Sequence, residues 1–125
     1  MDITVEGRPI RAVVQLTKQA YAYVYDRVTG EPVWPIEERP VPQSDVPGEQ
    51  TSPTQPFPTK PPPYDHNGVT TEGLIDFTLE LRSEAEQLLW RYATGPIFTP
   101  PVESDLDGAI TAFRSSGGTN WPGGA

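Results

Sequence analysis

The segment Tyr21–Trp34 constrains the fold of this chain more than any other. Three tyrosines alternate with small apolar residues over Tyr21–Tyr25, which is the two-residue period of a β-strand whose faces meet different neighbours. Turn chemistry follows, because the Asp26 carboxylate can accept backbone N–H groups just ahead of it and Gly30 can adopt the left-handed conformation that closes a type I turn with a bulge. The segment therefore predicts a β-hairpin with Trp34 at the end of its short return strand.

Two further strands are predicted before this hairpin. Asp2–Val5 and Ile10–Thr17 flank the turn Glu6–Pro9, and Ala12–Leu16 is apolar enough to lie in a sheet that is covered on both faces. With the hairpin, these strands make most of a four-stranded sheet. One hairpin cannot cover a tryptophan ring, so Trp34 needs a surface from outside it. This layout is typical of one blade in a repeated β-structure.

Composition limits what the chain can do alone. Of 125 residues, 16 are proline and 11 glycine, and only 35% are hydrophobic, which is marginal for an independent core.

The net charge of −8 repels phosphate backbones and anionic lipid, so nucleic-acid binding is not expected. Without cysteine there is no disulfide framework, thiolate zinc site or cysteine nucleophile. No signal peptide or membrane span is evident, and we expect Met1 to mark a cut inside a longer protein.

A proline-rich insert with one helix follows the hairpin. Ten prolines lie between Pro35 and Pro63, so this part is either an ordered excursion or a loose linker. Thr78 can cap a helix over about 79–93, which Gly95 and Pro96 would stop. An apolar stripe at helical spacing is expected to dock on the insert or the sheet; it comprises Leu81, Ala85, Leu88, Leu89 and Tyr92.

Three short segments complete the chain. Ile97–Pro101 is predicted to cross in an extended conformation, and Ala109–Phe113 is a possible strand. Ser115–Ala125 is glycine-rich and carries Trp121.

The pattern Asp-x-x-Thr-Gly-x-x-x-Trp, formed by Asp26, Thr29, Gly30 and Trp34, resembles the tryptophan-docking repeat of the quinoprotein dehydrogenases. These are eight-bladed propellers that bind pyrroloquinoline quinone (PQQ). Val24 stands where the family usually has alanine. The order of further segments resembles the branch with the membrane-bound glucose and polyol dehydrogenases; they are Thr17-Lys18, Pro40-Val-Pro-Gln43, Thr51–Phe57, Ile97–Pro101 and Gly117-Gly-Thr-Asn-Trp121.

The resemblance implies a mainly β fold, a partial β-propeller with a proline-rich insert carrying one α-helix. Its domains are blade strands over 1–34, the insert over 35–101, and the start of the next blade with an Asn-Trp loop over 102–125. Lys18 matches the family's basic residue that donates to the quinone oxygens of PQQ, whereas by itself a lysine after a strand is usually a solvated charge. Asn120 and Trp121 match a loop that approaches the cofactor, and the alternative is an unstructured glycine-rich tail.

By the same resemblance, the parent protein is a periplasmic, membrane-associated enzyme. It oxidises a sugar, polyol or alcohol by hydride transfer to PQQ and passes electrons to ubiquinone or a cytochrome. The family's catalytic aspartate and calcium ligands lie upstream of the segment that matches Asp2. The chain would therefore need the remainder of the propeller, and alone it is expected to be inactive.

Other signals are weaker. Asp105-Leu-Asp107-Gly108 begins like a calcium loop but lacks the later ligands, and His66 has no partner for a triad or a zinc site. Pro61-Pro-Pro-Tyr64 has the Pro-Pro-x-Tyr form that WW domains bind. The alternative function is thus a proline-rich interaction protein, and a third possibility is a purely structural propeller segment.

Overall fold

A computed structural model describes residues 1–110, 119 and 124. In these residues the fold is mainly β, with a three-stranded sheet, a separate two-stranded sheet, a short 3₁₀ helix and one α-helix. The elements in chain order are β1 (Asp2–Val5), β2 (Arg8–Leu16), β3 (Ala22–Asp26), β4 (Ile36–Pro40), β5 (Thr54–Pro58), the 3₁₀ helix Thr71–Gly73 and α1 (Leu79–Leu89).

The first sheet has the antiparallel order β1-β2-β3. Val5 pairs with Arg8 across a two-residue turn, and Leu16 pairs with Ala22 across the loop that joins β2 to β3. The strand β2 begins two residues earlier than predicted, since Arg8 and Pro9 already lie in the ladder. The β1–β2 hairpin agrees with the sequence prediction, and so does the placement of the tyrosine segment in a strand.

The predicted fourth strand is wrong in its extent. Beyond the turn, the return segment makes one isolated bridge, between Tyr25 and Pro32. Val33 donates its backbone N–H to Val24 O at 2.8 Å, after which the chain leaves the sheet. The reason is that prolines at 32 and 35 carry no N–H to continue a ladder.

Each face of the first sheet is covered only in part. Ala12, Tyr21, Ala22 and Val24 are buried, and Tyr23 and Tyr25 are half-buried. In contrast, Val13 and Val14 are 48% and 36% exposed. These two neighbours point to opposite faces of β2, so the expected cover on both faces is not supplied by the described part of the chain.

The proline-rich insert is ordered. The strands β4 and β5 pair antiparallel with Ile36 opposite Pro58, and this hairpin is held against the first sheet by aromatic side chains. The Phe57 ring packs edge-on against Tyr21 at 5.7 Å and against Phe98 at 5.8 Å. Tyr23 Oη also donates to Pro56 O at 2.7 Å. These contacts make the insert an ordered excursion rather than a loose linker.

The helix begins where predicted and ends early. Thr78 caps α1, its side chain accepting from Leu81 N at 3.2 Å. The helix stops at Leu89 instead of continuing to Ala93. Arg91 N and Tyr92 N donate only three residues back, to Leu88 O at 3.2 Å and Leu89 O at 3.0 Å, and the next N–H group leaves the helix. Ala93 N donates to Gly108 O at 2.8 Å, and Ile110 N donates to Ala93 O at 2.9 Å. Pairing with a later segment therefore ends the helix before Gly95 and Pro96.

The apolar stripe of α1 does not dock as expected. Leu89 is buried, but Leu81 and Leu88 are 40% and 52% exposed. The predicted extended crossing is also wrong at its start, since residues 97–98 form a turn in which Phe98 has a φ of 69°. That turn brings the Phe98 ring onto Phe57. At Ala109 the predicted strand makes one parallel bridge, to Ala93, and its residues 111–113 lie outside the described residues.

Candidate functional site

The candidate site is built around the loop that follows β2. Thr17 N donates to Tyr21 O at 2.9 Å, and Ala20 N donates to Thr17 O at 3.1 Å. The Thr17 hydroxyl lies 3.2 Å from both Tyr21 N and Tyr21 O. We call residues 17–21 the lysine turn, because Lys18 lies at its exposed tip. The hairpin register therefore places a primary amine at the end of the sheet.

The lysine turn carries an unneutralised positive charge within the part of the chain that the structure describes. The ion pairs there join Arg27 to Asp2, Arg39 to Glu37, Arg82 to Glu86 and Arg91 to Asp107. None of them involves Lys18. An ammonium group in this setting can donate to an oxygen-bearing ligand without first breaking an ion pair.

The insert contacts the lysine turn from the side. Tyr64 Oη donates to Thr17 O at 2.6 Å, and Tyr64 N donates to Ala20 O at 3.0 Å. The Asn67 side chain donates to Gln19 O at 3.5 Å. Sequence reasoning missed Tyr64 and Asn67 as neighbours of Lys18, because they lie more than forty residues away along the chain and no local pattern signals the contact.

A groove of about 490 Å³ opens beside this turn. Its lining includes Tyr21, Arg39, Phe57, His66 and Asn67. Burial raises the pKa of the Tyr21 phenol, and the Asn67 side chain beside it opposes part of that shift. The Arg39 guanidinium lies 5.4 Å from the centre of the Phe57 ring. The groove thus combines aromatic walls with a cation, although Glu37 already pairs with that cation at 2.8 Å.

The docking motif lies in the turn that follows β3. Asp26 Oδ1 accepts from Val28 N at 2.8 Å, and Thr29 Oγ1 accepts from Glu31 N at 3.2 Å. Gly30 has a φ of 79°, which a residue with a Cβ adopts only with strain, and its N–H donates to Asp26 O at 2.8 Å. Trp34 follows as a half-buried side chain. The structure therefore brings Asp26, Thr29 and Gly30 together as the sequence predicts.

The remaining candidate residues are His66, Asp107, Asn120 and Trp121. Asn120 and Trp121 lie outside the described residues. His66 is exposed, and Asp107 pairs with Arg91. No group of three or more histidine, aspartate or glutamate side chains among the described residues could hold a metal ion. In the same residues, no helix has the length and apolar character needed to cross a membrane.

Comparison with known proteins identifies the family. The family model described as the β-propeller domain of PQQ-dependent glucose, ethanol and alcohol dehydrogenases matches residues 1–125. A probable quinate dehydrogenase (quinone) from Xanthomonas campestris pv. juglandis is 32% identical over 123 residues, which is 94% of this chain and 15% of that protein. The quinoprotein glucose dehydrogenase of Escherichia coli K12 is 35% identical over 105 residues, covering 82% of this chain and 13% of that protein.

A shorter match is more similar. The glycerol dehydrogenase large subunit of Gluconobacter oxydans 621H is 45% identical over 50 residues, or 39% of this chain and 7% of that protein. The chain thus spans only a small part of the length of the curated relatives it matches. No solved structure matches it. With the family model covering every residue, and with a mainly β structure of three paired strands and a helix-bearing insert, the chain belongs to the PQQ-dependent dehydrogenase family and forms part of its β-propeller domain.

Proposed function

We propose that this chain works as part of a dehydrogenase that transfers a hydride from the hydroxyl-bearing carbon of a sugar, polyol or alcohol to bound PQQ, while a general base takes the hydroxyl proton. Relatives named for glucose, glycerol and quinate all act on hydroxyl-bearing carbon compounds, which supports the substrate class. The electrons then pass to ubiquinone or a cytochrome, and the word quinone in the name of the quinate enzyme supports the first of these. By family resemblance the parent enzyme is periplasmic and membrane-associated.

The single observation that carries the proposal is the exposed ammonium of Lys18, which forms no ion pair with the described residues, on a hydrogen-bonded turn at the end of β2. When bound, PQQ would supply a quinone as the hydride acceptor. The Lys18 ammonium would donate to a quinone oxygen and stabilise negative charge there, and it would do so more strongly in a water-poor site than in bulk water. The residues present therefore fit the cofactor as one donor of its site. Asn120 and Trp121 are proposed to supply an amide donor and a packing surface from the following blade.

The described residues do not make a whole active site. The family resemblance implies a calcium ion, and no carboxylate cluster for it is found in the part of the chain that the structure describes. We propose that the calcium ligands and the general base for the substrate hydroxyl come from other blades, and that the chain alone has no turnover.

The exposed faces of the first sheet support this dependence on further repeats. Val13 and Val14 are open on opposite faces, and an internal blade has both faces covered by its neighbours. We propose that residues 1–34 form blade strands, that 35–101 form the insert and that 102–125 begin the next blade. On this assignment, Trp34 of the docking motif packs against an adjoining blade.

The test is Lys18→Ala in the parent dehydrogenase, meaning a complete propeller that contains these residues. Loss of one donor to a developing oxyanion is expected to lower kcat by a factor on the order of 10²–10³, with a smaller loss of PQQ affinity. The matched control is Lys60→Ala, which removes the chain's other lysine, exposed in the insert. Wild-type turnover in the Lys18 variant would remove Lys18 from the site.

The alternative of a WW-domain ligand is less well supported. In such a ligand the tyrosine of the Pro-Pro-x-Tyr motif must be available to the partner. Here the Tyr64 hydroxyl and backbone N–H both bond to the lysine turn. Binding of a WW domain to the chain, without binding of PQQ to the parent protein, would favour the interaction protein instead.

A further inference from the structure

The lysine turn includes a strained residue. Ala20 has a φ of 63°, a left-handed conformation that a non-glycine residue adopts at a cost in free energy. Such a residue persists where surrounding contacts hold it in place. Ala20 is almost fully buried, and its own N–H and C=O are both bonded, the first to Thr17 O at 3.1 Å and the second to Tyr64 N at 3.0 Å. One of these two bonds comes from the insert.

The second contact from the insert acts on the peptide unit that leads into Lys18. Tyr64 Oη donates to Thr17 O at 2.6 Å, and this oxygen also accepts from Ala20 N. The Thr17 carbonyl, the Lys18 nitrogen and the Lys18 Cα lie in one plane, because the peptide bond is rigid. A hydrogen bond that fixes the carbonyl direction therefore fixes the N–Cα bond of Lys18, and the direction of its side chain then depends only on rotation about that bond.

We propose that Tyr64 is a positioning residue for Lys18, through its hydroxyl bond to the Thr17 carbonyl. The inference rests on the proposed function, since it assigns Tyr64 a role in aiming the ammonium at the cofactor. The Tyr64 backbone bond and the Asn67 side-chain bond to Gln19 O hold the other side of the same turn. The end of the proline-rich segment thus acts as a clamp on the turn.

Tyr23 provides a control that distinguishes the positioning role from simple attachment of the insert to the first sheet. Tyr23 Oη donates to Pro56 O at 2.7 Å, so it also joins the first sheet to the insert by a hydroxyl-to-carbonyl bond. Its acceptor lies in β5 and not in the lysine turn. Tyr64→Phe and Tyr23→Phe therefore remove the same chemical group from the same boundary, and only Tyr64→Phe removes a hydrogen bond to the Thr17 carbonyl.

The first measurement needs no cofactor. In the apo form of the parent dehydrogenase, hydrogen–deuterium exchange of a peptide covering residues 17–21 is expected to rise in Tyr64→Phe and to remain at the wild-type level in Tyr23→Phe. Thr17 O keeps its bond from Ala20 N in both variants, so neither should unfold the blade. Equal exchange of this peptide in the two variants would overturn the clamp.

The second measurement uses the enzyme loaded with PQQ. Tyr64→Phe is expected to lower kcat on the order of tenfold with little change in KM, because a reacting group displaced by about 1 Å can cost on the order of 10² in rate. In a Lys18→Ala background, Tyr64→Phe should cause no further loss, because a residue that acts through Lys18 cannot act once Lys18 is gone.

The outcomes distinguish the two proposals. If Lys18→Ala lowers kcat but Tyr64→Phe behaves like Tyr23→Phe, the positioning role is wrong and the proposed function stands. If Tyr64→Phe lowers kcat equally with and without Lys18, Tyr64 acts independently and the positioning role is again wrong. If Lys18→Ala retains wild-type turnover, the assignment of Lys18 fails, and the catalytic part of the positioning role fails with it.

Discussion

The aromatic contact between the insert and the first sheet should be a measurable part of the stability of the insert, and Phe57→Ala tests it. Phe57 makes two edge-to-face contacts, with Tyr21 at 5.7 Å and with Phe98 at 5.8 Å, each worth about 0.5–1.5 kcal/mol beyond area burial. Half-burial of the ring adds about 1 kcal/mol, roughly half the value for full burial. The exposed Arg39 guanidinium over the ring adds about 0.5 kcal/mol.

The sum is about 3.5 kcal/mol of local stability, which corresponds to roughly 300-fold faster amide exchange, since about 1.4 kcal/mol is a factor of ten. The reporters are the amides of Val41 and Thr59, which donate to Pro53 O and Pro35 O at the two ends of the β4–β5 hairpin. The control is Phe77→Ala, because that ring is 83% exposed and its loss should leave exchange unchanged. Similar exchange in Phe57→Ala and Phe77→Ala would refute the reasoning and would mean that the β4–β5 hairpin is stable without the Phe57 contacts.

Two further predictions concern the first sheet. Gly30→Ala should destabilise the turn after β3 by about 1–2 kcal/mol through backbone strain at positive φ. Steric clash adds nothing, because an added Cβ meets no atom within 4 Å. The measurement is amide exchange of Asp26 and Val33, which should be faster in Gly30→Ala and unchanged in the control Gly73→Ala. Burial raises the pKa of Tyr21 above its ordinary 10.0, so the unfolded chain loses this proton first. The contribution of Tyr21 to stability should therefore be constant below about pH 10 and be lost as pH rises through the folded pKa; urea unfolding should show a smaller fall in stability at high pH in Tyr21→Phe.

Local chemistry allowed several elements to be predicted from the sequence. The hairpin at Asp26–Gly30 depends on a carboxylate and a glycine within five residues, and the start of α1 depends on the Thr78 side chain and the N–H of Leu81. Interactions of this range are encoded by neighbouring residues, so a pattern can find them. The motif Asp26, Thr29, Gly30 and Trp34 is part of the same local unit, and this is why its geometry and its family resemblance agree.

Elements that end or dock through distant contacts were predicted less well. The helix ends at Leu89 because residues 91–93 pair with residues 107–110, and Gly95 and Pro96 give no hint of that pairing. Similarly, the fourth strand shrinks to the Tyr25–Pro32 bridge. The exposed leucines of α1 also show that an apolar stripe predicts a contact surface without specifying its partner.

The sequence by itself determined the β-hairpins, the capped helix start and the membership of the family, because each depends on residues close together or in a recognisable order. Only the tertiary structure decided that the proline-rich insert is ordered and that Tyr64 bonds to the turn carrying Lys18. The acceptor of that bond, Thr17 O, lies 47 residues earlier in the chain than Tyr64. The physical reason is that a hydrogen bond between distant residues depends on where two separately folded segments come to lie, and no local spacing of residue types records that position.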